Sequence, residues 1–298
     1  MDAKIRHGEM GLPKVPLNDS ITPGVDVVGK VLMCGDSATV IHGVNNGDTV
    51  ASLVGCGGNA KYINLNAVQL VRVPRGVASI SASIVIESYL PAFQALLLKV
   101  SKEDRYNPSI LNGKKVLILG GITTVGQALI ELCLLLGASQ VYGTAITKHH
   151  KLIVSLGAIP VEIGPETWPE DMNEQIDIAV DPSNFAVSKE TLKVMKQDGK
   201  LVCFGRGGDI DKFAGPVLDT FPGLFNIKSL YNVFDEWMEN LEGSKGDLSY
   251  LFGLLKQNRI DPQLAGTLRL NKVSDAHVVL DGKRRIQGTF VCLPFEQK

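Results

Sequence analysis

Two short stretches of this chain hold residues whose types and spacing can do chemistry. The first is Leu119-Gly120-Gly121-Ile122-Thr123-Thr124-Val125-Gly126, which follows the apolar run Val116-Leu117-Ile118-Leu119 and opens a helical pattern. A glycine turn between a strand and a helix is the setting in which GxGxxG-type sequences bind a dinucleotide. Gly121 is expected to make the tight turn, and Gly126 to let the helix pack close to the strand. Backbone N–H groups at the helix start would then face a pyrophosphate, which the helix dipole also favours. Thr123 stands where the pattern has its middle glycine. A tight strand-to-helix turn without a ligand therefore stays open as the alternative.

The second stretch begins where the next strand ends, at Gly143-Thr144. A site for NAD usually places Asp or Glu here to hold the ribose hydroxyls. This chain has no carboxylate between Glu131 and Glu162, and offers Thr144, Thr147, Lys148, His149, His150 and Lys151 instead. Hydroxyls and cations suit the 2′-phosphate of NADP through charge-assisted hydrogen bonds. The competing reading is a solvated first turn of a helix. The missing acid is the stronger half of the argument for NADP(H).

These residues need elements to position them. From about residue 114 the chain alternates strands and helices. The continuous apolar strand 116–119 is the kind that is covered on both faces. A helix follows over 125–136, with Gln127 and Glu131 as a polar stripe at i, i+4 and Gly137 as its terminal glycine. Strands over 140–142, 159–163, 176–180 and 201–204 interleave with helices over 148–156 and 189–195. This repetition predicts a parallel, doubly wound sheet, an α/β fold. Residues 1–75 instead read as mostly β, with strand-like runs at 25–33, 49–54 and 61–65 parted by turn signals. After about residue 234 come a helix over 247–256 with Asp247 as its cap, a strand at 267–270, a short helix at 274–280 and a strand at 289–293.

Composition narrows the function classes. The chain has 298 residues, 45% hydrophobic and 20% charged, with a net charge of −1, so no global field favours nucleic acid or an acidic membrane. Lys283-Arg284-Arg285 reads as a solvated turn. No apolar run approaches the ~20 residues of a membrane span. Cys34, Cys56, Cys133, Cys203 and Cys292 are scattered and odd in number, which argues against disulfides and a zinc knuckle and for a reducing, cytoplasmic setting. Cys133 and Cys203 lie in apolar runs, as small core residues do. His42 and His277 read as surface or loop histidines.

The ordered set of motifs resembles the zinc-free quinone oxidoreductase branch of the medium-chain dehydrogenase/reductase superfamily, near the enoyl and alkenal reductases. The resemblance runs through Asp2-Ala3-Lys4-Ile5-Arg6-His7-Gly8, Pro23-Gly24-Val25-Asp26-Val27-Val28-Gly29-Lys30-Val31, Gly47-Asp48-Thr49-Val50 and Gly57-Gly58-Asn59-Ala60-Lys61-Tyr62. It continues through Tyr89-Leu90-Pro91-Ala92-Phe93, the glycine turn and Asp198-Gly199-Lys200-Leu201-Val202. It implies a GroES-like β domain split in sequence, over 1–98 and 234–298, around a Rossmann NADP(H)-binding domain over 99–233. It also implies hydride transfer from NADPH to a quinone or an α,β-unsaturated carbonyl.

Residue by residue, the resemblance places Ile122, Thr123, Thr124 and Val125 at the pyrophosphate, beside Gly121. Thr144, Thr147 and Lys148, with Lys151, fall at the adenosine end, Phe204 and Gly205 on the ribose side, and Val233 and Phe234 at the nicotinamide. Where zinc alcohol dehydrogenases have a ligand histidine this chain has Val25, and the four-cysteine lobe is absent, so no metal is expected. Relatives dimerise through their last sheet strand, here Ser229-Leu230-Tyr231-Asn232-Val233-Phe234, which implies a homodimer. Tyr62 could give a proton to an enolate, although an aromatic strand residue is more often core.

Three departures bear on catalysis. Asp2 aligns with the last residue of the family's Asn-Pro-Val-Asp, so the asparagine and the first β strands have no counterpart. Pro91 replaces a threonine near the nicotinamide and offers neither hydroxyl nor N–H. Asp181-Pro182-Ser183-Asn184 stands for Asp-Ser-Val-Gly. A cofactor-binding sensor or interaction protein with little chemistry is accordingly the alternative.

Overall fold

Continuous apolar strands can be buried on both faces only if helices cover both sides of the sheet, and this requirement shapes the middle of the chain. The computed structural model describes residues 22–98, 100–163, 168, 172–182, 189–204, 228–281 and 288–295. They divide into two units. One comprises the described residues up to Glu87 and from Trp237 onward, the other those of Ser88–Glu236.

The first unit opens with β1 (Asp26–Lys30), α1 (Asp36–His42), β2 (Thr49–Leu53), β3 (Val71–Arg72) and α2 (Ser79–Ile84). The strands form an antiparallel sheet in the order β1-β2-β3. Two expectations fail here. Residues 61–65 are not a strand, and α1 was not anticipated, because it buries none of its residues and so leaves no amphipathic signature. A π-helical turn, Val85–Tyr89, follows α2.

The second unit contains α3 (Leu90–Leu96), β4 (Lys115–Ile118), α4 (Thr124–Leu135), β5 (Gln140–Ala145), α5 (His150–Ser155), β6 (Ile159–Glu162) and β7 (Ile176–Asp181). It continues with α6 (Lys189–Val194), β8 (Met195–Phe204), β9 (Lys228–Tyr231) and α7 (Val233–Glu239), the last running on into the first unit. All six strands pair in parallel, in the order β6-β5-β4-β7-β8-β9. Chain order reverses at β4, so the sheet is doubly wound with its switch point beside that strand. Ligands of open α/β sheets bind at such a point. Val116, Leu117, Ile118 and Leu119 are all essentially inaccessible. Leu117 and Leu119 pack with Ile176, Ala179, Leu201 and Cys203, while α4 contributes the buried Ala128, Leu129, Ile130, Leu132 and Cys133.

Two details differ from expectation. Gln127 and Glu131 are not a solvent stripe, since Gln127 is 5% exposed and the half-buried Glu131 accepts from the Tyr89 hydroxyl. The last sheet strand ends at Tyr231, so Val233 and Phe234 lie in the first turn of α7 and not on the strand. Asn232 stops the strand by capping that helix, its Oδ1 accepting from Phe234 N at 2.9 Å.

The first unit closes with α8 (Leu241–Lys256), β10 (Leu264–Arg269), α9 (Val273–Asp281) and β11 (Thr289–Leu293); β10 and β11 pair in parallel. Helix α8 begins well before Asp247, which is buried inside it and is not its cap. Among the described residues no helix is long and apolar enough to cross a membrane.

Candidate functional site

The glycine turn at the end of β4 is built by close approach of backbone. Gly120 has φ +82°, a left-handed conformation that a side chain disfavours, so the tight turn falls on Gly120 and not on Gly121. Gly121 serves packing instead. A Cβ there would lie 2.8 Å from Ile153 Cδ1 and 3.1 Å from Gly143 Cα. A Cβ on Gly126 would lie 2.3 Å from the Gly120 carbonyl oxygen, as expected for the glycine that brings helix and strand together.

Thr123 is the N-cap of α4. Its Oγ1 accepts from Gly126 N at 3.0 Å and donates to Gly120 O at 2.9 Å, while its own N–H donates to the same carbonyl at 3.0 Å. Thr123 therefore closes the turn upon itself where a glycine would have left space. Gln127 braces the outer part of the loop, its Nε2 donating to Ile122 O at 2.9 Å. The N–H groups of Ile122, Thr124 and Val125 find no acceptor among the described residues. Three uncommitted donors at the positive end of a twelve-residue helix fit a pyrophosphate.

Thr144 ties this turn to β5. Its hydroxyl accepts from Gly120 N at 2.7 Å and its carbonyl from Gly121 N at 3.0 Å, and the residue is buried. These two bonds hold the loop, and the Thr144 O–H remains able to donate. Beyond it, Thr147 Oγ1 donates to Glu162 Oε2 at 2.6 Å, and His150 Nε2 lies 3.2 Å from the same oxygen and 3.1 Å from Ala145 O. Lys148 and Lys151 are exposed. The expectation of a corner without an acid is thus corrected. Parallel pairing sets Glu162 opposite Ala145, bringing a carboxylate from the third strand to the end of the second. Sequence reasoning missed Glu162 by searching along the chain; the shared length of neighbouring strands was the available signal.

Phe204 ends β8 and Val233 and Phe234 follow β9, at the same carboxyl-terminal edge of the parallel sheet as the glycine turn. Phe204 packs edge-on against Tyr231 with ring centroids 4.9 Å apart, and the Tyr231 hydroxyl donates to Gln94 Oε1 at 2.8 Å. Gly205 lies outside the described residues, as do Ser183 and Asn184, the amino-terminal motif at 2–8, and Lys283, Arg284 and Arg285. Pro91 is buried in the first turn of α3. Tyr62 is neither on a strand nor in the core. It is 68% exposed, with its ring centroid 5.7 Å from that of Phe295. His277 is 5% exposed, which corrects its surface reading, whereas His42 is exposed. Val25 is buried and uses its carbonyl to accept from Val54 N. Cys133 is buried in the core, where burial pushes its thiol far up, so it is no nucleophile. Among the described residues no group of three or more His, Cys, Asp or Glu could hold a metal ion.

No protein-family profile matches the chain. It is 28% identical to the NADPH-dependent alkenal/one oxidoreductase, chloroplastic, of Arabidopsis thaliana, over 68% of this chain and 51% of that protein. It is 22% identical to the human synaptic vesicle membrane protein VAT-1 homolog, over 96% of this chain and 74% of that one. The match to the plant enzyme thus spans only about half of its length. Among solved structures, a quinone oxidoreductase of Pseudomonas syringae superposes with a TM-score of 0.77 at 18% identity, covering 98% of this chain and 87% of that chain. A mycobacterial protein complexed with NADPH superposes with a TM-score of 0.71 at 22% identity, with the same coverage. These likenesses show the fold, a Rossmann sheet accompanied by a GroES-like β unit. The relatives and structural neighbours of this chain include quinone and alkenal oxidoreductases of the medium-chain dehydrogenase/reductase family that its motifs resemble.

Proposed function

We propose that the chain is an NADP(H)-dependent oxidoreductase that delivers hydride to a quinone or an α,β-unsaturated carbonyl without a metal. The observation that carries the reading is the set of Ile122, Thr124 and Val125 N–H groups without an acceptor among the described residues, on a turn with a left-handed Gly120 and a Gly126 that leaves no room for a Cβ. The likeness to an NADPH-dependent alkenal reductase and to a neighbour solved with NADPH supports the choice of cofactor. The three amides and the α4 dipole would hold the pyrophosphate. Lys148 and Lys151 would attract the 2′-phosphate, and Phe204, Gly205, Val233 and Phe234 would extend the site toward ribose and nicotinamide. When bound, the cofactor supplies the hydride, and the protein's contribution is to hold donor and acceptor in contact.

The metal-free reading rests on Val25, whose isopropyl side chain has no lone pair for zinc. Without a Lewis acid to stabilise an alkoxide, electron-poor acceptors are better partners than alcohols. Tyr62 is so exposed that water competes for any proton it would donate, and solvent protonation of the product suffices. That no disulfide joins Cys34, Cys56, Cys133, Cys203 or Cys292 is compatible with a reducing cytoplasm. The edge position of β9 supports a homodimer joined through that strand. Light scattering at micromolar concentration should then return twice the chain mass, and a monomer would refute the pairing.

The activity test is a stopped-flow survey of NADPH oxidation against quinones, enals and enoyl thioesters. Acceptor-dependent oxidation is expected with at least one of the first two classes. Pro91 favours one other reading, a cofactor-binding sensor, because it is buried and brings neither hydroxyl nor N–H to its position. NADPH binding without oxidation by any acceptor would select it.

A further inference from the structure

The carboxylate at the adenosine corner comes from the wrong strand for the usual arrangement, and its contacts show how it is held. The glycine turn is joined to the end of β5 by two bonds to Thr144, and the end of β5 is joined to the end of β6 by the pair Ala145↔Glu162. Glu162 Oε2 is gripped by the Thr147 hydroxyl and approached by His150, while Trp168 Nε1 donates to the Glu162 carbonyl at 3.1 Å. The side chain is 29% exposed, so it is anchored yet still in reach of solvent. Thr147, Lys148, His149, His150 and Lys151 all lie on the segment that it fastens. The corner therefore combines two exposed lysines with one fixed negative charge.

We propose that Glu162 is a specificity-determining residue of the dinucleotide site, acting against the 2′-phosphate and thereby limiting the preference for NADPH over NADH. The inference rests on the cofactor reading above. The physical reason is charge. A 2′-phosphate brings close to two negative charges. NADH brings none at that position, so a carboxylate there penalises only NADPH. Lys148 and Lys151 work in the opposite sense, and the net preference is the difference between the two effects.

The test is paired fluorescence titration of NADPH and NADH with wild type, Glu162→Gln and Glu162→Ala at low salt. The glutamine keeps an acceptor for Thr147 and removes the charge, whereas the alanine removes both. Both variants should raise the affinity ratio in favour of NADPH by roughly three- to tenfold, as expected for loss of one partly screened charge. The gain should shrink at high salt, where the Debye length falls to about 3 Å. A purely structural Glu162 would predict a different result: Glu162→Ala would weaken both cofactors alike and Glu162→Gln would leave the ratio unchanged. That result would overturn the proposal while wild-type binding still upheld the cofactor reading. Wild type binding neither dinucleotide would overturn both.

Discussion

The glycine turn and the adenosine corner lie side by side at the ends of β4 and β5, yet they are made in opposite ways. The turn consists of backbone. Gly120 supplies a left-handed bend, Gly126 a backbone contact that no Cβ would allow, Gly121 a close approach to Ile153 and Gly143, and the Thr123 and Thr144 hydroxyls accept from the amides of Gly126 and Gly120. The corner consists of side chains gathered from one strand, a 3-10 turn and a short helix, half exposed and of mixed charge. The comparison separates two tasks. On the proposed reading, affinity for any dinucleotide would belong to the turn, where geometry tolerates little change, and discrimination between dinucleotides to the corner, where single charges can be exchanged at small structural cost.

The largest effect is expected from Gly126→Ala. Its Cβ would sit 2.3 Å from the Gly120 oxygen, which is backbone and cannot step aside. Strain of this kind costs about 3 kcal/mol. Displacing the loop amides should weaken NADPH and NADH together by roughly tenfold or more, since bonds to a charged group are worth ~1.5–3 kcal/mol each. Isothermal titration beside a thermal melt measures both effects. If the variant bound only one cofactor poorly, the division between turn and corner would fail.

Thr144→Val sharpens the same division at lower cost. The isostere leaves Gly120 N without its acceptor, which should lower stability by ~1–2 kcal/mol. It should weaken both cofactors by the same factor, because Thr144 acts through the turn. A selective loss of NADPH would instead assign Thr144 to the phosphate.

The smallest effect concerns the opposite end of the sheet, where Asp177 joins Lys114, Lys115 and Lys196. Burial pushes its carboxyl up. The Lys115 N–H, the Lys196 hydrogen bond and the charges of Lys114 and Lys196 outweigh this and hold it below the ordinary carboxylate value. A depressed pKa contributes stability that is present above the unfolded value of about 3.9 and lost as pH falls through the folded one. Asp177→Asn should therefore cost about 1 kcal/mol at neutral pH, because both lysines are half exposed, and the difference from wild type should vanish in acid. Melts across that pH range decide it. Cofactor affinity should not change.

How much of this was legible in the sequence follows from the same contrast. Val116–Leu119 announced a strand covered on both faces, and Gly126 announced close packing, because both signals are local. Helix α1 gave no signal because Val40 and Ile41 face solvent and no buried stripe repeats along it. Glu162 was invisible as a neighbour of Thr147 because only the register of β5 against β6 brings them together. The end of β9 was overrun because Tyr231-Asn232-Val233-Phe234 is rich in strand-forming types, and only the Asn232 cap reveals the switch to helix.

The central claim is that this chain binds NADP(H) on the glycine turn and reads its 2′-phosphate with Lys148 and Lys151. The direct measurement is paired equilibrium titration of NADPH and NADH, at fixed ionic strength, on wild type and Lys148→Ala. Wild type should bind NADPH about tenfold or more tightly than NADH, and the substitution should weaken NADPH by roughly tenfold while leaving NADH unaltered, the worth of one partly exposed charge-assisted bond. Equal binding of both cofactors with no effect of Lys148→Ala, or binding of neither, would contradict the account.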